Sequence, residues 1–195
     1  FNLEIRHFYK HRGLEKLAEQ KDFVQDVFLL ERICGICSFI HSMTYCMGIE
    51  ELMSLNVPPR ANYLRVVWSE LHRMHSHLLA IGLLADTFGF ENLFMESWRI
   101  REQVLDIAEE TAGGRVIFGS CKIGGTRRDI SPERLKQLDG EMVQMEKELR
   151  VMGDFFMNDY SVHTRLKGVG YISEADARKL GAVGPVLRAS GVQQD

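Results

Sequence analysis

The sequence predicts a mainly α-helical fold, a helical bundle with a few short strands at its margins, and three observations predict it. After Pro58 and Pro59, apolar residues recur at helical spacing as Leu64, Val67, Leu71, Met74, Leu78 and Ile81. After Pro132 a second series, Leu135, Leu138, Met142, Met145, Leu149 and Met152, steps alternately by three and four, the narrow seam of helices that pack nearly antiparallel. Between the two series, Gly113-Gly114 and Gly124-Gly125 bracket a stretch without helical period.

Taken in order, the first long helix starts at Pro58-Pro59, where a fixed φ and a missing amide cost nothing, and ends near Asp86. A second runs from about Asn92 to Glu110, with Trp98, Leu105 and Ala108 inward, and stops at Thr111-Ala112-Gly113-Gly114. Arg115 to Thr126 reads as an irregular or short-strand excursion whose glycines let backbone approach something closely. Ser131 then caps a helix with Pro132 at its first position. Gly168 to Ile172 reads as a short strand, Ser173 with Asp176 as a capped helix start, and Gly181 to Gly184 as its end. No repeat, low-complexity tract or linker divides residues 1–195, which read as one domain piece.

With 195 residues and 45% hydrophobic content the chain buries a core without disulfide staples. The net charge of -3, with both signs interspersed, disfavours nucleic acid and anionic membranes as partners. No apolar run approaches the roughly 20 residues of a membrane span, so no direct span is expected, and nothing at the start reads as a signal peptide. Four cysteines are too few for a disulfide scaffold and point to a reducing compartment with a metal or redox role. Both ends, Phe1-Asn2-Leu3-Glu4-Ile5 (read as extended) and Gly191-Val192-Gln193-Gln194-Asp195, look cut, as in a piece of something longer.

The chemistry concentrates in Glu31-Arg32-Ile33-Cys34-Gly35-Ile36-Cys37-Ser38-Phe39-Ile40-His41. Two thiolates two residues apart can close on one metal, and Gly35 permits the tight backbone between them. If a helix begins at Cys37, its free amides favour thiolate, and His41 lies on the same face. A Cys-x-x-Cys is also half a zinc site, a thioredoxin-like redox pair or chance. The zinc reading wants a second pair, which Cys46 and Cys121 do not supply; the redox reading wants an alternating strand and helix pattern, which is missing here.

The string Arg32-x-Cys34-Gly35-x-Cys37-x-x-x-His41 resembles the first metal-binding motif of nickel-iron hydrogenase large subunits. His11-Arg12-Gly13-Leu14-Glu15-Lys16, Val57-Pro58-Pro59-Arg60-Ala61, Arg65, Glu70-Leu71 through His77-Leu78-Leu79-Ala80-Ile81-Gly82, Gly124-Gly125 and Leu187-Arg188-Ala189-Ser190-Gly191 are similar to the hydrogenase-like subunit of respiratory complex I. Retention of both cysteines favours the membrane-bound, energy-converting hydrogenase branch, since the complex I relatives carry other residues there and bind quinone nearby. The resemblance implies a nickel held by four thiolates, two of them bridging to an iron with carbon monoxide and cyanide ligands. Cys34 would be a terminal ligand and Cys37 a bridging one, and hydrogen is split into hydride and proton at an open position. Iron-sulfur clusters in a small partner subunit take the electrons, and the assembly sits on integral membrane subunits at the cytoplasmic face.

The same resemblance gives roles to other residues. Arg32 and His41 would orient metal-bound groups by hydrogen bonds. Arg12 and Glu15 would lie near the junction with the iron-sulfur partner, and Gly124 and Gly125 would let a bound group approach. The family's other two cysteines come from a second Cys-x-x-Cys near the end of the full chain, and its first strands carry residues for proton transfer; neither is present here. The isolated piece is therefore expected to be inactive and without a nickel-iron centre. A complex I-type quinone-binding subunit and a non-catalytic helical assembly module are the alternatives.

The remaining polar candidates read as structure. His72 and His75 share a helix face and His77 lies across from His75; Glu70, Arg73 and His77 fall on one side as a buried polar ladder. The nine methionines, Trp68 and Trp98 read as packing, Cys46 as a small buried hydrophobe, and Cys121 beside Lys122 as the more reactive thiol.

Overall fold

The computed structural model describes residues 2–194; Phe1 and Asp195, the outermost residues of the two ends read as cut, lie outside them. Helix dominates. The described residues form two compact units, one ending at Met152 and the other beginning at Gly153.

In the first unit, α1 (Leu14–Ala18) is followed by α2 (Phe23–Glu31), whose free amides at Val24 and Gln25 donate to the Asp22 carboxylate at 2.9 and 2.8 Å. Helix α3 (Ser38–Leu52) begins directly after Cys37. Helix α4 (Pro59–Thr87) starts on its proline, and α5 (Glu91–Ala112) is stopped by Gly113, whose φ of 92° suits a residue without Cβ. A short antiparallel hairpin follows: β1 (Cys121–Lys122) pairs with β2 (Gly125–Thr126), in the register Cys121 with Thr126 and Lys122 with Gly125. Helix α6 (Pro132–Asn158), whose residues up to Met152 belong to this unit, opens as expected, the Arg134 amide donating to Ser131 Oγ at 3.2 Å.

The core lies where α4 packs along α5, with α2 and α3 against the hairpin. Trp68, Phe39, Ile100, Val104 and Met145 are fully buried, and the Trp68 indole N–H donates to Thr111 Oγ1 at 3.2 Å. The buried face of α4 is rotated from the expected stripe. Leu64, Leu71 and Leu78 are buried as predicted, but Val67, Met74 and Ile81 are half-buried, and Trp68, His72, His75 and Ala85 fill the interior instead. On α5, Leu105 and Ala108 are buried and Trp98 is half-buried. The α6 seam is real: Leu138, Met145 and Met152, one heptad apart, are buried, and Leu135, Met142 and Leu149 half-buried.

One glycine sets the spacing of the two long helices. A Cβ on Gly82 would stand 2.3 Å from Ser97 Oγ and 2.9 Å from the Trp98 ring, so α4 and α5 meet there at a distance no larger residue allows. Gly82→Leu is therefore expected to cost about 1–3 kcal/mol through overpacking, read as a lower urea midpoint with unchanged slope.

The second unit carries α7 (Tyr160–Leu166), α8 (Glu174–Lys179) and α9 (Gly184–Ala189). Ser173 caps α8 as predicted, its Oγ accepting the Asp176 amide at 3.1 Å and donating to the Asp176 carboxylate at 2.6 Å. Ala177, Leu187 and Val192, with Ala182 beside them, form a small core. The expected strand at Gly168 to Ile172 is a turn: Gly168 and Gly170 sit at φ 79° and 69°, in the left-handed region, which no strand ladder accommodates.

Candidate functional site

Cys34 and Cys37 occupy the tight loop between α2 and α3, half-buried and exposed respectively. The loop curls because Cys34 Sγ accepts the Ile36 amide at 3.3 Å. Burial pushes the Cys34 thiol up, but the hydrogen bonds from the Cys37 thiol and from the Ile36 and Cys37 amides, with the charge of Lys10, outweigh it and leave Cys34 below its ordinary pKa. Burial and the neighbouring Cys34 sulfur push Cys37 up to about 11. The loop amides ahead of α3 thus act on Cys34, whose sulfur receives them, and not on Cys37. The expectation for Cys37 is corrected: as N-cap of α3 it makes no side-chain cap bond, so its sulfur gains nothing from the helix amides.

His41, one turn into α3, brings Nε2 to 3.3 Å from Cys37 Sγ, joining the pair on one face. Arg32, the C-cap of α2, folds back instead: Nη1 donates to the Phe28 carbonyl at 3.0 Å and lies 3.4 Å from the buried Glu31 carboxylate. Arg12 reaches the loop from the N-terminal side, its Nη2 donating to the carbonyls of Arg32 (3.1 Å) and Ile33 (2.9 Å), next to Cys34. Glu15 is exposed on α1 with His11 Nδ1 at 2.7 Å. Its own backbone amide and His11 hold its carboxylate below the usual range.

Gly124 and Gly125 lie at a different place, in the hairpin. Gly124 turns at φ 81° and donates its amide to Glu50 Oε1 at 2.7 Å, while the Gly125 carbonyl accepts from Arg65 Nη2 at 2.9 Å. What the glycines admit closely is the Glu50–Arg65 pair. The hairpin also borders an open pocket floored by Ala61 and rimmed by Arg60, Lys122 and Arg128.

The structure reveals contacts that the sequence did not announce. Behind the cysteine loop, His72 and His75 are each 1% exposed. His72 Nε2 lies 2.9 Å from Ser38 Oγ and 3.1 Å from the Val116 carbonyl, and His75 Nε2 lies 3.4 Å from the Gly35 carbonyl, between the two cysteines. Spacing places both on one face; only the fold shows what that face meets. Glu31, fully buried, accepts the Gly119 amide at 2.9 Å and is raised above its ordinary pKa chiefly by burial.

Two sequence expectations change here. Glu70, Arg73 and His77 are exposed and line a surface depression with Met74, Leu78, Ile81 and Leu149; their side of α4 faces solvent, so no buried ladder forms. Cys121 is 1% exposed and pushed up to about 12 chiefly by burial, which makes it an inert thiol and leaves Cys34 and Cys37 as the accessible ones. Cys46 is fully buried as expected.

The buried histidine has a pH consequence. Burial, then the charge of Arg101 and the proximity of His72, lower His75 from 6.5 to about 4. In this window the unfolded chain binds the proton more readily than the folded one, so the stability this group contributes is present above pH 6.5 and lost as pH falls toward about 4. The urea midpoint is expected to fall across that interval, and less steeply in His75→Gln.

As a donor set, Cys34 and Cys37 fit half of a four-thiolate site: two soft sulfurs within hydrogen-bond reach of each other and open to approach. Among the described residues no group of three His, Cys, Asp or Glu side chains is placed to hold a metal by itself.

Comparison with known proteins identifies the class to which this helical body and its thiol-bearing loop belong. The family model described as "Nickel-dependent hydrogenase" matches residues 12–84, and that described as "Respiratory-chain NADH dehydrogenase, 49 Kd subunit" matches residues 87–195. The chain belongs to this family of 49 kDa-type, hydrogenase-like subunits. It is 38% identical over 195 residues to "Membrane-bound hydrogenase subunit alpha" of Pyrococcus furiosus, covering 100% of this chain and 45% of that one. It is 39% identical to "Formate hydrogenlyase subunit 5" of Escherichia coli (98% and 34% covered) and 36% identical to an NADH-quinone oxidoreductase subunit of Bacteroides thetaiotaomicron (94% and 34%). A chain in the structure of the membrane-bound sulfane sulfur reductase, an archaeal respiratory membrane complex, superposes with a TM-score of 0.88 at 30% identity, over 96% of this chain and 51% of that one. The chain thus spans about a third to a half of the length of these relatives. They are oxidoreductase subunits of larger complexes, and among the described residues no helix is long and apolar enough to cross a membrane.

Proposed function

We propose that this chain is part of the catalytic large subunit of a membrane-associated nickel-iron hydrogenase, in which Cys34 and Cys37 supply two of the four thiolates around nickel. The observation that carries the reading is the pairing of two accessible sulfurs on one loop, with His41 at 3.3 Å from the second, inside the segment that matches nickel-dependent hydrogenases. The metal centre, when bound, supplies the Lewis-acid and redox chemistry that splits hydrogen.

The chain's own residues hold and tune that centre. The Ile36 and Cys37 amides lower the Cys34 thiol, and His41 Nε2, 3.3 Å from Cys37 Sγ, would hydrogen-bond that sulfur when it holds the metal. Arg12 pins the carbonyls before Cys34, and with Glu15 it faces a small iron-sulfur subunit that removes electrons. Integral membrane subunits complete the assembly at the cytoplasmic face, and the other two thiolates come from the parent subunit outside these residues.

A second reading, a quinone-reducing subunit of complex I type, is favoured by the family match over residues 87–195. Hydrogen uptake or evolution by the assembled complex separates the two. The hydrogenase reading expects activity in the native complex and none in Cys34→Ser or Cys37→Ser. Quinone reductase activity indifferent to both changes overturns it.

A further inference from the structure

We infer that His72 and His75 form a buried brace that holds the cysteine loop from inside the protein, with His75 a positioning residue for the Cys34–Cys37 pair. The brace rests on the proposed function for its meaning, because the loop matters as a metal holder, but its geometry stands independently.

Two elements far apart in sequence meet at this loop. The carbonyl of Gly35, between the two sulfurs, faces His75 Nε2 at 3.4 Å, and a carbonyl can only accept, so this nitrogen carries the proton. The next residue after Cys37 is Ser38, whose Oγ donates to the Val116 carbonyl at 2.8 Å and lies 2.9 Å from His72 Nε2. His72 Nε2 in turn donates to the same carbonyl at 3.1 Å. The Val116 side chain stands over Gly35, with Cγ1 3.8 Å from where a Cβ would lie. The loop is thus gripped on both sides of Cys37, through its backbone at Gly35 and through Ser38 at the start of α3.

The brace is built to be rigid. The two rings meet edge-on with centroids 5.0 Å apart, and His72 also packs edge-on against Phe118 at 5.0 Å. The Arg101 guanidinium donates to the His75 carbonyl at 3.3 Å. His75 Nδ1 is buried without a hydrogen-bond partner among the described residues. A buried imidazole with one nitrogen unsatisfied is costly to keep for packing alone; what it gains is the single bond at Gly35. An apolar residue of similar volume fills the space but cannot hold the loop.

Amide hydrogen exchange at these residues within the parent subunit, free of metal, tests this, in a readout that needs neither nickel nor hydrogen and so is decided separately from the proposed function. His75→Leu is expected to speed exchange at Ile36, Cys37 and Ile40 by roughly three- to tenfold, while amides in the middle of α5 keep native protection. His75→Gln, whose amide nitrogen reaches the same carbonyl, is expected to restore the loop to near-native rates. Ser38→Ala, a smaller change, is measured alongside in case the leucine variant fails to fold, and is expected to speed exchange at Cys37 and Ile40. Native rates at these amides in both His75→Leu and Ser38→Ala, or equal loosening in His75→Leu and His75→Gln, overturn the brace.

Discussion

Arg65→Met is expected to destabilise the chain by about 3–5 kcal/mol, because it strands a buried carboxylate. Arg65 and Glu50 are 3% and 7% exposed at their side chains and meet as a two-pronged pair, at 2.9 Å and 2.5 Å. Neither is an ordinary surface ion. Arg65 Nη2 also donates to the carbonyls of Lys122 and Gly125, and Glu50 Oε1 also accepts the Gly124 amide, so the pair ties α3 and α4 to both sides of the hairpin turn. Removing the guanidinium leaves Glu50 charged and buried with one amide for a partner. Although burial pushes Glu50 up, Arg65 and the Gly124 amide hold it below 4.5, so its contribution is present above that pH and is lost as pH falls through the lowered value. Equilibrium denaturation at neutral pH measures the loss. The double variant Glu50→Leu with Arg65→Met is expected to recover much of it, since an apolar pair leaves no stranded charge.

Phe39→Ala is expected to cost a similar amount, about 3–5 kcal/mol, and to reach the cysteine loop as well as the core. Phe39 is fully buried, with its ring 5.6 Å from Phe118 and 6.5 Å from His72 by centroid. It stands two residues after Cys37 in the first turn of α3, so the same ring closes the core and fixes the helix start that carries Ser38 and His41. The cavity left by the ring opens directly beneath the brace. Denaturation reads the stability, and faster labelling of Cys37 by iodoacetamide in the folded state reads the loosened loop.

Much of the fold was legible because its signals are local. Pro59 and Pro132 mark helix starts by their missing amides, Ser131 and Ser173 by their hydroxyls, and Gly113 a stop by its positive φ. The closeness of the two cysteines was legible for the same reason, since two thiols on one tight turn declare themselves by spacing. What stayed hidden depends on contacts distant in sequence. A stripe counted in apolar residues passes over His72 and His75, which are buried because Ser38, Gly35 and Val116 supply partners that no helical period reveals. Glu50 and Arg65 look like two more charges on amphipathic helices until the hairpin, far along the chain, folds over them. The opposite error produced the ladder: Glu70, Arg73 and His77 do share a side of α4, but burial belongs to the packing and that side faces solvent. At Gly168 to Ile172 a short strand was expected, and the backbone freedom of two glycines decided for a turn.

The proposed chemistry turns on whether the two sulfurs of one short loop bind nickel. Elemental analysis of the purified, fully assembled complex tests this most directly. One nickel per large subunit is expected in the native complex, with loss of nickel and retention of the folded subunit in Cys34→Ser and in Cys37→Ser. A native complex without nickel, or nickel that survives both substitutions, contradicts it.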